Sequence, residues 1–327
     1  LGDVELTLAI HKVFDLDKDK ILFDVGHQGY THKILTGRAN RFDSLRQIDG
    51  LSGLLSSSES KYDVFESGHS STSISTAMGL ALARDHNNEN YNIVSVIGDA
   101  SIANGVAFEA LNNINNKQNK IIIILNDNNM AINPSVGSIA KSLGKVNYNN
   151  MFDNFKISYL GPVDGHNIKQ LEKALNKAKE YPSSILVHVK TIKGYGYDLA
   201  CNDITGKFHG IAPFDIKTGE VKHKLDDRYQ TFTSKIASCM YDTLKEDSFS
   251  YLISSAMVYS TDLTKCFNDF SNRCIDVGIA EEHSIALANG LALNNKRPYV
   301  SLYSTFMQRA YDNLSERPEN NWKKLNE

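Results

Sequence analysis

The sequence predicts an α/β protein, with parallel sheets flanked by helices in two domains, the second of them incomplete. Three observations carry that expectation. Apolar runs of strand length alternate with stretches of helical periodicity through the first part of the chain, which implies βαβ units and a parallel sheet. The alternation lapses over residues 198–228, which are rich in turn residues and read as a linker, and then restarts. A length of 327 residues is enough for two domains.

Taken in order, residues 3–14 alternate at helical spacing and lead into a strand at 21–24. Residues 70–83 read as a helix rich in small side chains. Residues 91–97 predict a buried strand, 104–115 a helix, and 120–125 a second buried strand built on the four isoleucines Ile121 to Ile124. Residues 131–155 are polar and punctuated and predict irregular structure. A helix follows at 167–180, with Ile168, Leu171 and Leu175 on its apolar face, and then a strand at 184–189. After the linker come helix 229–245, strand 251–255, helix 262–270, strand 274–277, helix 281–292, strand 299–303 and a further helix. A parallel sheet of three strands leaves an open edge. No short-period repeat or low-complexity tract interrupts this order.

Composition narrows the function. Hydrophobic residues make up 41% and charged residues 22%, as in globular proteins. A net charge of −3 with scattered lysines and arginines argues against nucleic acid or an anionic membrane as partner. No apolar run approaches the roughly 18 residues of a spanning helix. The start, Leu1-Gly2-Asp3-Val4-Glu5, has no basic region and no apolar core, so it does not read as a secretory leader. It also lacks an initiator Met, which suggests a start inside a longer gene product. Cys201, Cys239, Cys266 and Cys274 form no CxxC pair, and reduced thiols in a cytoplasm are the simplest account.

The chemistry concentrates between Val96 and Met130. Asp99 ends one buried strand, and Asn126-Asp127-Asn128-Asn129 ends the next one a helix later. Parallel neighbours would set those ends side by side, at the edge where ligands of open α/β sheets gather. A carboxylate, an amide oxygen and backbone carbonyls are hard oxygen ligands, which suits Mg²⁺ with water and substrate phosphates completing its shell. By themselves these fragments are also ordinary turn chemistry.

Other polar clusters follow the same logic. Asp24-Val25-Gly26-His27-Gln28 sets an imidazole at the end of the first strand. Ser67-Gly68-His69-Ser70-Ser71-Thr72-Ser73 sets another before a helix start, whose N–H donors suit an anion. Singly, each loop histidine reads first as a capping residue, and Phe208-His209 and Asp164-Gly165-His166 more so. Lys193-Gly194-Tyr195-Gly196-Tyr197 follows a strand, so its lysine either reaches a phosphate at that edge or is solvated in a glycine turn. Ala280-Glu281-Glu282-His283 opens a helix, where glutamates suit the dipole. Tyr303 to Asp312 combines a phenol, the Phe306 ring and the Arg309 guanidinium.

Together these segments resemble the 1-deoxy-D-xylulose-5-phosphate synthase family, transketolase-like thiamine-diphosphate enzymes. The pieces that carry the resemblance are D-V-G-H-Q-G-Y-T-H-K-I-L-T-G-R, Y-D-V-F-E-S-G-H-S-S-T-S-I-S, Y-L-G-P-V-D-G-H, A-E-E-H and Y-S-T-F-M-Q-R-A-Y-D. It runs from Leu1 to about Asn313. As a set the motifs are very specific, and they separate this family from general transketolases.

The resemblance implies a thiamine-diphosphate-binding fold. Residues 1–199 would bind the diphosphate and Mg²⁺, 200–228 would be a linker, 229–313 part of a pyrimidine-binding domain, and 314–327 a divergent polar tail. It further implies a cytoplasmic, homodimeric transferase that condenses pyruvate with D-glyceraldehyde 3-phosphate. The products would be CO₂ and 1-deoxy-D-xylulose 5-phosphate, a precursor of isoprenoids, thiamine and pyridoxal. Asp99, Asn128 and the Met130 carbonyl would hold Mg²⁺. The backbone N–H groups of Ala100 and Ser101, with Lys193 and His27, would complete the diphosphate site. Glu281 would hydrogen-bond the cofactor pyrimidine, and Phe306 would stack on it. His69 and His209 would manage protons near the reacting carbon. Tyr303 and Arg309 would meet the acceptor phosphate.

Four departures from the family pattern accompany the match. A Gly-Gly-His segment of the family would lie upstream of Leu1. The connection between Met130 and Gly161 is a few dozen residues short. Ala100 stands where the metal motif has glycine, a substitution of order 1–2 kcal/mol if that backbone has positive φ and nearly neutral otherwise. After Asn313 the match dissolves. Two readings therefore stay open: a transferase, either part of a longer enzyme or one half of a split enzyme whose second subunit supplies the missing domain, and a non-catalytic remnant or interaction module of the same fold.

Overall fold

The structure, a computed structural model, describes residues 2–114, 119–131, 135–143, 149–203, 205–222 and 230–315. The chain separates into two compact units, one of Leu1–Met130 with Ser138–Cys201 and one of Ala131–Gly137 with Asn202–Glu327.

The first unit runs α1 (Val4–Val13), β1 (Lys20–Phe23), α2 (Tyr30–Lys33), α3 (Ser73–His86), β2 (Ile93–Gly98), α4 (Asp99–Ile102), α5 (Gly105–Asn113), β3 (Ile122–Asp127), α6 (Gly137–Leu143), α7 (Asn149–Asn154), β4 (Ser158–Asp164), α8 (Ile168–Glu180), β5 (Ile185–Lys190) and α9 (Asp198–Cys201). Its five strands pair in parallel in the order β1-β2-β3-β5-β4. The isoleucine run shows why the sheet is buried on both sides. Ile122 and Ile124 pack with Leu6, Ile10, Leu171 and Leu175 of α1 and α8. Ile121 and Ile123 pack with Ile74 and Ala77 of α3 and Leu111 of α5. Side chains alternate along a strand, so four consecutive isoleucines serve both cores. Each fully buried one contributes roughly 1.5–3 kcal/mol. The Asn104 and Asn167 side chains cap the starts of α5 and α8, each cap contributing about 1 kcal/mol.

Two expectations are corrected here. Residues 131–155, read as irregular, contain α6 and α7, because Leu143 and Phe152 bury fully against the sheet. The second correction is β4, which the sequence did not announce. Gly161 and Pro162 interrupt its pattern, and its pairing with β5 shifts between Leu160 and Val163. Proline is tolerated there because β4 is an edge strand of the described sheet.

The second unit contains α10 (Phe232–Glu246), β6 (Ser250–Ser254), α11 (Thr264–Asp269), β7 (Cys274–Asp276), α12 (Glu281–Leu293), β8 (Arg297–Ser301) and α13 (Tyr311–Ser315). Among the described residues its sheet has three parallel strands in the order β7-β6-β8. Leu244 of α10, Leu252 of β6, Leu263 and Cys266 form its core with Cys274. The linker keeps short local structure, a turn at Lys207–His209 and a bridge between Phe214 and Val221, while residues 204 and 223–229 lie outside the described set. The polar tail expected over 314–327 lies outside it from residue 316 onward.

Candidate active site

Parallel pairing delivers the polar motifs of the first unit to one sheet edge. Phe23 pairs with Val96, Gly98 with Asn126, and Asp127 with Lys190. Adjacent strands lie about 4.8 Å apart, so the segments carrying His27, Asp99, Asn128 and Lys193 leave neighbouring strand ends. The edge where they emerge is the carboxyl edge, where α/β sheets bind ligands. Asp99 is buried at the start of α4, and Ala100 and Ser101 follow within it.

Ala100 adopts right-handed helical backbone, and none of the positive-φ positions falls on it. The glycine-to-alanine departure therefore carries no backbone strain. Asn129 does sit at φ 61°, a conformation asparagine tolerates, and Asn128 Oδ1 accepts the Met130 N–H at 3.0 Å. That turn closes the Asn128–Met130 segment on itself just after β3.

The two histidine loops are tied together beside it. Gly26 N–H donates to the Ser67 carbonyl at 3.0 Å, and the Ser67 hydroxyl donates to the His69 carbonyl at 2.5 Å. A Cβ at Gly26 would meet Leu55 N at 2.7 Å, so glycine is what fits against the Leu54–Leu55 backbone there. Asp24, fully buried, accepts the N–H groups of Ser71 at 2.6 Å and Ser73 at 3.1 Å. Burial pushes its carboxyl up against the pull of those bonds.

Neighbouring groups set the remaining strand ends. Asp127 turns toward the neighbouring strand β5. It accepts from His188 Nε2 at 2.7 Å and pairs with Lys190, while His188 Nδ1 meets the Tyr159 hydroxyl at 2.7 Å. Burial would raise the Asp127 pKa, but His188 and Lys190 outweigh it and hold the carboxyl ionised. His166 anchors the loop carrying Lys193. Its Nε2 accepts the Ile192 N–H at 2.9 Å, so Nδ1 carries the proton facing Glu5 Oε2 at 3.2 Å, and its ring stacks on Tyr195 at 3.7 Å.

A second edge arises in the second unit. Asp276 ends β7 and accepts the N–H groups of Ala256 at 2.9 Å and Gly278 at 3.0 Å. That turn leads into α12, where Glu281 is buried in the first turn. Tyr303, Phe306 and Arg309 follow β8 on the other side of β6. Phe306 lies parallel to Tyr303, with ring centroids 5.7 Å apart at 17°. Arg309 Nη1 is 3.5 Å from Glu281 Oε2. Burial pushes the Glu281 carboxyl up, and Arg309 draws it partly back. His209 also belongs to this unit, in a turn organised by Asp203, which accepts from the N–H groups of Thr205 at 2.9 Å, Gly206 at 3.1 Å and Phe208 at 2.9 Å. The structure thus brings the segments of His27, His69, Asp99, Ala100, Ser101, Asn128, Met130 and Lys193 to one sheet edge of the first unit, and Glu281, Tyr303, Phe306 and Arg309 to strand ends of the second, while His209 lies in its own turn of that unit.

The family model for 1-deoxy-D-xylulose-5-phosphate synthase matches residues 1–151 and 144–191. The chain belongs to that family. The match covers more than half of it, and the model for the transketolase pyrimidine-binding domain matches residues 229–321. Curated relatives are the 1-deoxy-D-xylulose-5-phosphate synthases of Clostridium acetobutylicum, 44% identical, Clostridium tetani, 43%, and Macrococcus caseolyticus, 42%. Each match covers 96% of this chain and 56–57% of the relative, so the chain spans little more than half the length of these relatives. Among solved structures, two transketolase variants from Pichia stipitis share the fold, with TM-scores of 0.51 and 0.53 at 15% and 16% identity. Those likenesses cover 96% of this chain and 62% of each transketolase.

The family is one of transketolase-type transferases, and its match breaks in two at residues 144–151. Alignment to the Clostridium acetobutylicum synthase runs over 355 positions against a chain of 327, so at least 28 positions of that relative face gaps. Both observations fit the shortened connection after Met130. Among the described residues no helix is long and apolar enough to cross a membrane. Asp24 and Asp276 do not stand out in the sequence as site residues, although a carboxylate at the end of a buried strand is a usable signal. His166, which reads in sequence first as a capping residue, instead anchors the Lys193 loop.

Proposed function

We propose that this chain binds thiamine diphosphate through Mg²⁺ and belongs to an enzyme that condenses pyruvate with D-glyceraldehyde 3-phosphate. The observation that carries the reading is the convergence of the His27, Asp99, Asn128 and Lys193 segments on one carboxyl edge in a chain of this family. The donor set fits the metal: one buried carboxylate from Asp99, an amide oxygen from Asn128 and the Met130 carbonyl leave room for diphosphate oxygens and water. The Ala100 and Ser101 N–H groups open a helical turn and suit the diphosphate, with Lys193 and His27 beside it. When bound, the cofactor supplies the carbon centre that takes up pyruvate and releases CO₂.

The chain's own groups bind, orient and move protons. Glu281 is buried enough to share a proton with the pyrimidine. Phe306 offers it a stacking face, His69 and His209 exchange protons at the reacting carbon, and Tyr303 and Arg309 receive the acceptor phosphate. In this reading residues 1–199 form the diphosphate and Mg²⁺ domain, 229–313 part of the pyrimidine domain, and the enzyme works as a cytoplasmic homodimer. The alternative is a non-catalytic remnant of the fold or one half of a split enzyme, and the short span relative to its relatives is the observation that keeps it in play.

Calorimetry with thiamine diphosphate decides the first step. Binding that requires Mg²⁺ and is abolished in Asp99→Ala supports the reading. Equal affinity in variant and parent removes Asp99 from the site. A parent that does not bind favours the remnant.

A further inference from the structure

Asp24 is completely buried, yet the reading above gives it no contact with cofactor or substrate. Its Oδ2 accepts the Ser71 N–H at 2.6 Å and its Oδ1 the Ser73 N–H at 3.1 Å. The side chains of Ser73 and Ser101 add to the pull that favours its charged form. Asp24 itself begins the segment of His27, Ser71 and Ser73 close the segment of His69, and Ser101 lies two residues after Asp99. A single carboxylate therefore ties the His27 segment to the His69 segment by hydrogen bonds, at the edge where Asp99 also emerges.

A second observation points the same way. Ser71 holds φ at 82°, a left-handed backbone that residues with a Cβ rarely adopt. Its N–H is the one that meets Asp24 at 2.6 Å, so the carboxylate secures the strained residue directly. The contrast with Asp19 is informative. Asp19 is also a buried carboxylate accepting backbone N–H groups, from Asn92 at 2.7 Å and Asp15 at 2.9 Å, but it sits at the opposite, amino edge of β1 and β2.

We propose that Asp24 is a positioning residue that holds the His27 and His69 segments in register beside the Asp99 segment for the diphosphate and its metal. The proposal rests on the cofactor reading above and adds the group that holds its parts in register. In Asp24→Asn the amide would turn a donor toward a ring of donors, so the knot loosens without a change of side-chain volume.

The test pairs Asp24→Asn with Asp19→Asn in the full chain. Hydrogen exchange and calorimetric affinity for Mg²⁺-thiamine diphosphate are read on both. Asp24→Asn should lose amide protection at residues 26–29, 67–73 and 98–102 and bind the cofactor about 10–100-fold more weakly, the usual effect of a group behind a metal ligand. Asp19→Asn should lose protection near its own contacts and keep its affinity within about two-fold of the parent. Equal affinity in Asp24→Asn and parent, or an equal loss in Asp19→Asn, overturns the proposal. If Asp24→Asn does not fold, Ser101→Ala removes a hydroxyl that favours the ionised Asp24, and it should raise exchange at 98–102 and weaken binding, unchanged values counting against the idea. If the parent binds no cofactor, the reading in the previous section fails. Exchange then decides this one alone, with loss confined to the three segments supporting it and loss spread across the unit refuting it.

Discussion

Arg309 Nη1 stands 3.5 Å from Glu281 Oε2, between side chains only 11% and 6% exposed. The two residues belong to different strand ends, β8 and β7, and meet because both strands flank β6. A carboxylate this buried is raised by desolvation, and the guanidinium is what keeps it partly ionisable. Arg309→Met should raise the Glu281 pKa further and destabilise the second unit by about 1.5–3 kcal/mol at neutral pH, the usual scale for a charged hydrogen bond. The sign is fixed by linkage. A carboxyl raised above its unfolded value favours folding below that value and loses the contribution as pH rises through the folded one. The defect in Arg309→Met should therefore be smaller in mild acid than at neutral pH. Carbon NMR titration of the glutamates, with denaturant melts at both pH values, checks this, and an unmoved Glu281 would show that the contact carries no energy.

Glu281 also has a chemical expectation. If it shares a proton with the cofactor pyrimidine, Glu281→Gln should slow proton exchange at the reactive carbon of bound thiamine diphosphate by roughly 10²–10⁴, the scale of a positioned acid–base group. NMR exchange on the bound cofactor reads this without turnover. An unchanged rate would assign Glu281 to packing against Arg309 alone.

The legibility of this site followed the physics. Buried parallel strands are continuous apolar runs, so β1, β2, β3 and β5 were visible in sequence, and the polar residues just beyond them marked the carboxyl edge. Edge strand β4 was not visible, since Gly161 and Pro162 hide its pattern and only pairing with β5 defines it. Helices α6 and α7 were hidden for a related reason: short apolar faces such as that of Phe152 are diluted by asparagines. Pairings such as Asp24 with Ser71, 47 residues apart, have no local signature, because nothing in either segment names its partner.

A pH effect arises away from the site. His11 Nε2 meets His32 Nδ1 at 3.0 Å, and His32 Nε2 lies 3.3 Å from Asp63 Oδ1. Burial first, and the neighbouring His32 second, lower the His11 pKa to about 4. A histidine lowered below its unfolded value contributes stability that is whole above about 6.5 and is lost as pH falls toward the folded value. The Asp3 carboxyl, pushed by burial up to about 6, titrates in the opposite sense over the same window, so the parent alone hides the term. The stability difference between parent and His11→Phe isolates it. Allowing for the half-exposed ring, that difference should shift by about 1–2 kcal/mol in favour of the variant between neutral pH and pH of about 4.5. A difference independent of pH would mean that the two rings do not share the buried position in solution.

The last expectation concerns what this polypeptide does by itself. On the second unit Phe232 is 91%, Leu293 69% and Ile236 61% exposed, and β8 pairs on one side only among the described strands. Exposed apolar side chains and an open parallel edge each favour association with another chain. Sedimentation velocity should therefore show concentration-dependent self-association of the 327-residue chain, weakened by a charge on the edge in Tyr299→Lys. Grouped catalytic residues act as a unit, so a chain spanning 57% of its Clostridium acetobutylicum relative should make little or no 1-deoxy-D-xylulose 5-phosphate alone. Adding a second polypeptide that carries the remaining part of that relative should restore product if this chain is half of a split enzyme. A monodisperse monomer would refute the association, and product formation linear in the isolated chain would show that its own residues suffice for the reaction.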